Sequence, residues 1–241
     1  MTLTLAVLDA FGGAVDFIFS PRPSRGSGPD VGGLGQVGEL TLEHLRLSGA
    51  AMVLGLALAL PVGVYLGHRG RAELLAVGIG NAGRAIPELA LIAFLVAFVG
   101  VGFVNVTIAL VVLAIPPILT NTFVGIRQVD RDAIDAARGV GMSELQIALR
   151  VELPLAAPTI IAGVRTSAIN VIATAAIAPL AGVVTLGDFI INRNVYGDEG
   201  VLAGAILIAL LAIAVELVLA AVQTLLTPRG VRVERALAAR A

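Results

Sequence analysis

Between two long apolar runs stands the stretch DRDAIDAARGVGMSELQIALRVELPLAAP, Asp130–Pro158. It is polar and charged, yet it is patterned like structure rather than like a linker. Ile134, Ala137 and Arg138 fall at helical spacing, and Gly139-Val140-Gly141 then supplies a turn. Ser143 with Gln146 three residues later has the form of a capping box. Leu145, Ile147 and Leu149 predict a second short amphipathic helix, which Leu153-Pro154 is expected to stop. The expected order is helix, glycine turn, helix, proline, held between two membrane spans.

Composition sets the class around this stretch. A chain of 241 residues that is 58% hydrophobic and 14% charged, with a mean hydropathy of +0.98, is too apolar for a soluble domain and reads as an all-α integral membrane protein. Cysteine is absent, so disulfides, thiol nucleophiles and cysteine-based metal sites are excluded. All 16 basic residues are arginine. With no lysine and no G-x-x-x-x-G-K-[ST] run, the chain cannot hold ATP in a phosphate loop, and energy must come from a partner. His44 and His68 are the only histidines; they are expected to flank the first span at opposite ends, and no metal or other cofactor is expected. No basic patch with interleaved aromatics points to nucleic acid.

Taken in order, residues 1–43 predict an interfacial helix followed by an irregular loop. Residues 3–19 are apolar but interrupted by Gly12, Gly13 and Asp16, and a sixth transmembrane span is the alternative. No basic segment precedes them as in a secretory signal. Pro21–Gly38 is rich in Pro, Gly and Ser and is expected to be irregular. About five core spans follow, near residues 45–66, 74–99, 104–121, 155–180 and 201–226. The second carries Asn81, Arg84, Pro87 and Glu88 and predicts a kinked or broken helix. Three segments are expected, 1–43, a transmembrane domain over 44–226 containing the loop 123–154, and an arginine-rich tail over 227–241.

Arginine placement orients the chain. With the 123–154 loop on the cytoplasmic side, the 67–73 turn and the tail join it. Together they hold Arg69, Arg71, Arg127, Arg131, Arg138, Arg150, Arg229, Arg232, Arg235 and Arg240, against Arg22, Arg25, Arg46 and Arg193 on the other side.

Asp135-Ala136-Ala137, three intervening residues, Gly141, and then Leu153-Pro154 resemble the "EAA" loop of ABC importer permeases of bacterial cytoplasmic membranes. In that family the loop forms a coupling helix that docks on a cytoplasmic ATPase. Asp135 stands where the family usually has Glu, which keeps the charge and shortens the reach by one methylene. NAGRAIPELALIAFLVAFVGVG (81–102) is similar to the family's second core helix. IPPILTNTFVGIRQVD (115–130) is similar to the end of the third, and LPLAAPTIIAGVRTS (153–167) to the start of the fourth, so the likeness covers about residues 44–226. The EHL at 43–45 and VDRDAIDAARGVGM at 129–142 resemble permeases of the osmoprotectant type, which carry glycine betaine, choline, carnitine or proline betaine. Methionine-type permeases share the same core. A Gly-Gly-Leu-Gly turn frequent in the family reads Val184-Thr185-Leu186-Gly187 here. The resemblance implies coupling through Asp135, Ala136, Ala137, Gly141, Leu153 and Pro154. It also implies three partners besides membrane lipid: cytoplasmic ABC ATPase subunits, a second permease subunit of the same or a similar chain, and an extracytoplasmic substrate-binding protein.

Polar groups within the spans are candidates for the solute pathway or for interfaces, because ionisable groups at bilayer depth are expensive. Arg84 and Glu88, spaced i, i+4, make a structural ion pair or, freed by Pro87, pathway groups. Asn105, Asn121, Asn170, Thr166, Ser167 and Thr174 line a passage or hydrogen-bond between helices. Glu216, deep in the fifth span, needs a partner and faces either a subunit interface or the passage. Arg165 is expected to snorkel or to pair with the 123–154 loop. With no Trp, two Tyr and eight Phe, and with Tyr65 and Tyr196 at opposite membrane edges, one copy is not expected to hold a quaternary ammonium in an aromatic cage. Outside the importer class stand an ion-gradient-driven secondary transporter, which would show inverted repeats, a membrane scaffold, and an intramembrane enzyme.

Overall fold

The computed structural model describes residues 2–26, 28–70, 78 and 85–227. It is helical apart from one short strand pair. The elements are α1 (Thr2–Phe19), β1 (Pro21–Arg22), β2 (Val31–Gly32), α2 (Gly33–Arg69), α3 (Glu88–Val99), α4 (Phe103–Arg127), α5 (Arg131–Gly139), α6 (Glu144–Ile147), α7 (Leu153–Thr174), α8 (Asp188–Ile191) and α9 (Arg193–Leu226). A π-helical turn, Ala148–Glu152, joins α6 to α7, and a 3₁₀ segment, Ala175–Ala181, follows α7. Four helical stretches, Gly33–Arg69, Phe103–Arg127, Glu144–Ala181 and Arg193–Leu226, are long and apolar enough to cross a bilayer. α3 is a shorter apolar helix of 12 residues, about 18 Å at 1.5 Å per residue.

The described residues group into two compact units. One is drawn from Met1–Ala51, Pro87–Leu110 and Asn170–Ala214, the other from Met52–Ile86, Val111–Ile169 and Val215–Ala241. In the first, Phe17 of α1 meets Phe189 of α8 edge-on at 5.2 Å between ring centroids, and Phe189 meets Tyr196 at 4.9 Å. β1 and β2 pair antiparallel, Pro21 opposite Gly32 and Arg22 opposite Val31. Arg25 ties this hairpin to α9 through Glu199 at 3.0 Å and through its backbone N–H to the Val195 carbonyl.

In the second unit, small residues let helix backbones approach closely. A Cβ built on Gly55, Gly63 or Gly67 of α2 would lie 2.9, 2.7 or 2.7 Å from Cβ of Ala114, Thr122 or Ile126 on α4. The two series ascend together, so α2 and α4 run parallel. α7 runs antiparallel to α4, with Ser167 Oγ donating to the Ala114 carbonyl at 2.6 Å and Gly163 set against Pro117 and Asn121. α9 runs antiparallel to α7, since Arg165 pairs with Glu216 and Gln223 Nε2 donates to the Pro158 carbonyl at 2.8 Å.

Several sequence expectations change. Pro21–Gly38 is irregular only in part: residues 23–26 and 28–30 carry no helix or strand, but Pro21–Arg22 pair with Val31–Gly32, Gln36 Oε1 accepts the Gly32 N–H at 2.6 Å, and helix begins at Gly33. α2 begins at Gly33 and not near Leu45, so His44 lies well inside the helix and is wholly buried. α4 continues past Asn121 to Arg127 in spite of Pro116 and Pro117. The expected break in the second span falls at Pro87, whose extended backbone precedes Glu88 at the start of α3. Arg84, Asn81 and the tail's four arginines lie outside the described residues. Leu153-Pro154 does not end a helix: the chain runs unbroken from the π turn into α7, with Leu153 N–H bonded to the Ala148 carbonyl. A proline normally clashes with the carbonyl four residues earlier, and the wider π turn relieves that contact.

Candidate functional site

Asp130 caps α5, its carboxylate accepting the Asp132 N–H at 2.9 Å. Ala137 is buried, and Ile134 packs with Leu153 and Leu155 on the cluster formed by Ile126, Val129, Ala156 and Ile160. The opposite side of α5 is free, with Asp135, Ala136 and Gly139 exposed. α5 ends where the Met142 N–H bonds the Ala137 carbonyl and Gly141 takes φ +85°, a conformation natural to glycine. Ser143 and Gln146 then form the expected capping box, reciprocally bonded at 3.4 and 2.9 Å.

The second amphipathic face is not the one expected. Ile147 is buried, but Val140, Leu145 and Leu149 are 80%, 69% and 50% exposed. Leu145 and Leu149 share one face and Ile147 the other, as 3.6 residues per turn requires. The outward ridge is therefore Val140 with the free side of α5, while Leu145 and Leu149 are exposed toward a groove against α2. Across Gly141, Arg138 reaches both oxygens of Glu144, Nε at 3.1 Å and Nη2 at 3.2 Å, and Asp135 at 3.3 Å. Glu144 also lies 3.2 Å from Nε2 of His68, whose Nδ1 contacts the buried Glu152 carboxylate at 2.7 Å. A chain of polar contacts thus links α5, α6, the π turn and the end of α2. A groove of about 810 Å³ lies beside it, walled by Leu60, Val64, Leu145, Leu149 and Leu153.

Spacing did not reveal His68, because 84 residues separate it from Glu152. The one signal available was Glu144 and Glu152 eight residues apart, on the same face of a continuous helix.

The candidate pathway residues divide between the two units. In one, Glu88 and Asn170 are exposed and Thr174 is buried. There Asn105 Nδ2 donates to the Gly100 carbonyl at 2.6 Å, and His44 Nε2 lies 3.0 Å from the Ile172 carbonyl. In the other, Asn121 Nδ2 donates to the Pro117 carbonyl of its own helix at 2.8 Å and packs on Gly163. Glu216 has the partner it requires, and that partner is Arg165. Arg165 therefore neither snorkels nor pairs with the loop, because a carboxylate on the adjacent helix offers charge neutralisation inside the bundle. The tyrosines form no cage. Tyr196 is buried with its hydroxyl donating to Asp188 at 2.6 Å, and Arg69 covers Tyr65 at 5.7 Å.

In the Val184–Gly187 turn, Thr185 Oγ1 donates to the Ala175 carbonyl at 3.0 Å and accepts the Gly187 N–H at 3.2 Å. A Cβ on Gly187 would fall 1.8 Å from the Ala176 carbonyl oxygen, so the glycine retained there is sterically required.

Residues 52–231 match the family described as binding-protein-dependent transport system inner membrane component, and the chain belongs to that family. It is a permease subunit, a membrane component of a transporter rather than an enzyme. It is 40% identical over 196 residues to the carnitine transport permease protein OpuCB of Listeria monocytogenes, covering 81% of this chain and 90% of that one. To the choline transport system permease protein OpuBB of Bacillus subtilis it is 40% identical over 193 residues, 80% of this chain and 89% of the relative. The osmoprotectant import permease protein OsmW of Salmonella typhimurium is 31% identical over 204 residues, 82% and 95% of the two chains. Among solved structures, an inward-facing MetNI methionine ABC transporter superposes with a TM-score of 0.68 at 22% identity, over 81% of this chain and 98% of the other. That likeness establishes the fold.

Proposed function

We propose that this chain is the membrane-spanning permease of an ATP-driven importer for osmoprotectants of the quaternary-ammonium class, such as glycine betaine, choline, carnitine or proline betaine. The observation that carries the reading is 40% identity, sustained over four-fifths of the chain, to permeases named for carnitine and choline transport. The methionine-type fold likeness, at 22% identity, favours no solute.

The α5–α6 segment is the element that meets the ATPase. Asp135 and Ala136 face outward beside the exposed Val140, while Ala137 and Leu153 anchor the segment to the core. Gly141 sets the turn and Pro154 opens the following span. Such a ridge suits a groove on a cytoplasmic ATPase, and the arginine distribution favours the cytoplasmic side for the loop and the C-terminus. The transmembrane domain of residues 44–226, with its loop at 123–154, pairs with a second copy or a similar chain around the solute path. An extracytoplasmic binding protein selects the solute, since no aromatic cage is built among the described residues.

Co-purification in mild detergent tests the coupling. An ATPase subunit should accompany the wild-type chain and be lost when Ala136 and Gly141 are replaced by arginine, with membrane insertion unchanged. Purification of the wild-type chain alone would overturn the importer mechanism. Uptake of radiolabelled glycine betaine and choline by the reconstituted complex then tests the solute class.

A further inference from the structure

Arg165 and Glu216 are paired far from the ends of their helices. Arg165 is twelve residues beyond Leu153 in α7 and Glu216 ten residues before Leu226 in α9, about 18 and 15 Å along the axes at 1.5 Å per residue. Both residues lie within the stretches Glu144–Ala181 and Arg193–Leu226, which are long and apolar enough to cross a bilayer. Structural ion pairs within such stretches are expected to be closed off from their surroundings. In this single chain the two side chains are 29% and 28% exposed.

Its hydrogen bonding is also incomplete. Arg165 donates from Nε and Nη2 to the same Glu216 oxygen, and from Nη1 to Gln223 Oε1. The second carboxylate oxygen, Glu216 Oε2, is buried and has no hydrogen-bond partner. A bidentate fork would engage both carboxylate oxygens; here half of the carboxylate is unused. Gln223 holds the guanidinium from the other side and is itself anchored to the Pro158 carbonyl. The arginine would therefore stay in place if Glu216 moved away.

Resting on the importer reading above, we propose that Arg165 and Glu216 form a transient site for zwitterionic solutes, with Arg165 taking the solute carboxylate and Glu216 the quaternary ammonium. The exchange is neutral in charge: one internal ion pair opens and two solute–protein pairs form, so no net charge is buried at bilayer depth. The carboxylate end gains charge-assisted hydrogen bonds from a planar donor fork. The methylated ammonium has no N–H to donate, so Glu216 holds it by charge alone. That contact is weak, as a site that must release its solute requires. A cation lacking a carboxylate, such as choline, would use Glu216 and leave Arg165 without a new partner.

The test is uptake by the complete complex of permease, ATPase and binding protein in proteoliposomes, with glycine betaine and choline measured in parallel. Arg165→Gln should lower the maximal glycine betaine rate about tenfold relative to the choline rate, the equivalent of one charge-assisted contact. Half-saturation by the binding protein should not change. Because Arg165→Gln strands a carboxylate, Arg165→Gln/Glu216→Gln supplies a neutral hydrogen-bonding pair that preserves packing, and it should show the same fall in the betaine-to-choline ratio. A ratio equal to wild type in both variants, whatever the absolute rates, would reduce the pair to structure and overturn the proposal. Uptake of neither compound by the wild-type complex would instead overturn the osmoprotectant reading on which it rests.

Discussion

Gly141 takes φ +85° in open space, with no atom within 4 Å of where a Cβ would stand. Conformation alone therefore demands glycine there, and the demand is graded. Asn tolerates the left-handed region and Ala costs roughly 1 kcal/mol. Coupling, measured as solute transported per ATP hydrolysed, should be nearly kept in Gly141→Asn, reduced in Gly141→Ala and lost in Gly141→Val. Equal coupling in all three would show that the turn plays no part. Gly187 is the opposite case, because its constraint is steric. Gly187→Ala places a methyl against the Ala176 carbonyl, and the strain of overpacking, about 3 kcal/mol, should lower the thermal midpoint of the detergent-solubilised protein while ATPase binding persists.

At the scale of elements, the contacts among Arg138, Glu144, His68 and Glu152 hold α5 and α6 to the end of α2. Glu152 is 5% exposed at its side chain and His68 13%, so removing one partner leaves a buried polar group without compensation. His68→Gln should lower thermal stability and weaken coupling together. Glu152→Gln in that background should recover part of the stability, and a double-mutant cycle on the two positions should return a non-zero interaction. Strict additivity would mean that the contact carries no energy. The π turn is the second device at this scale, since it passes α6 directly into the span and lets motion of the outer ridge reach α7 without a flexible joint.

For the molecule as a whole, the absence of native cysteine makes orientation directly measurable. Val140→Cys and Asp198→Cys are both at exposed positions. A membrane-impermeant maleimide should label Asp198→Cys in intact cells and Val140→Cys only in inverted vesicles. The reverse pattern would place the α5–α6 ridge away from ATP and end the coupling proposal. The arginine bias makes this outcome expected, since cationic loops stay on the cytoplasmic side.

Composition and periodicity alone established the membrane class, four of the helical spans and the capped loop between them, because each depends on neighbours within a turn or two of the helix. The capping box at Ser143–Gln146, the turn at Gly141 and the break at Pro87 were legible for that reason. Asp135-Ala136-Ala137, Gly141 and Leu153-Pro154 also carried the resemblance to importer permeases, because that likeness lies in one contiguous loop. Helix ends were less legible: α2 begins at Gly33 because a strand pair and Gln36 satisfy the backbone before it, and those partners are set by packing. Only the tertiary structure decided which charges meet. His68 finds Glu152 across 84 residues, and Arg165 finds Glu216 because antiparallel α7 and α9 place them at one level. Pairing across helices follows from register and from the cost of leaving a charge alone in a low-dielectric interior, and neither is written in local spacing.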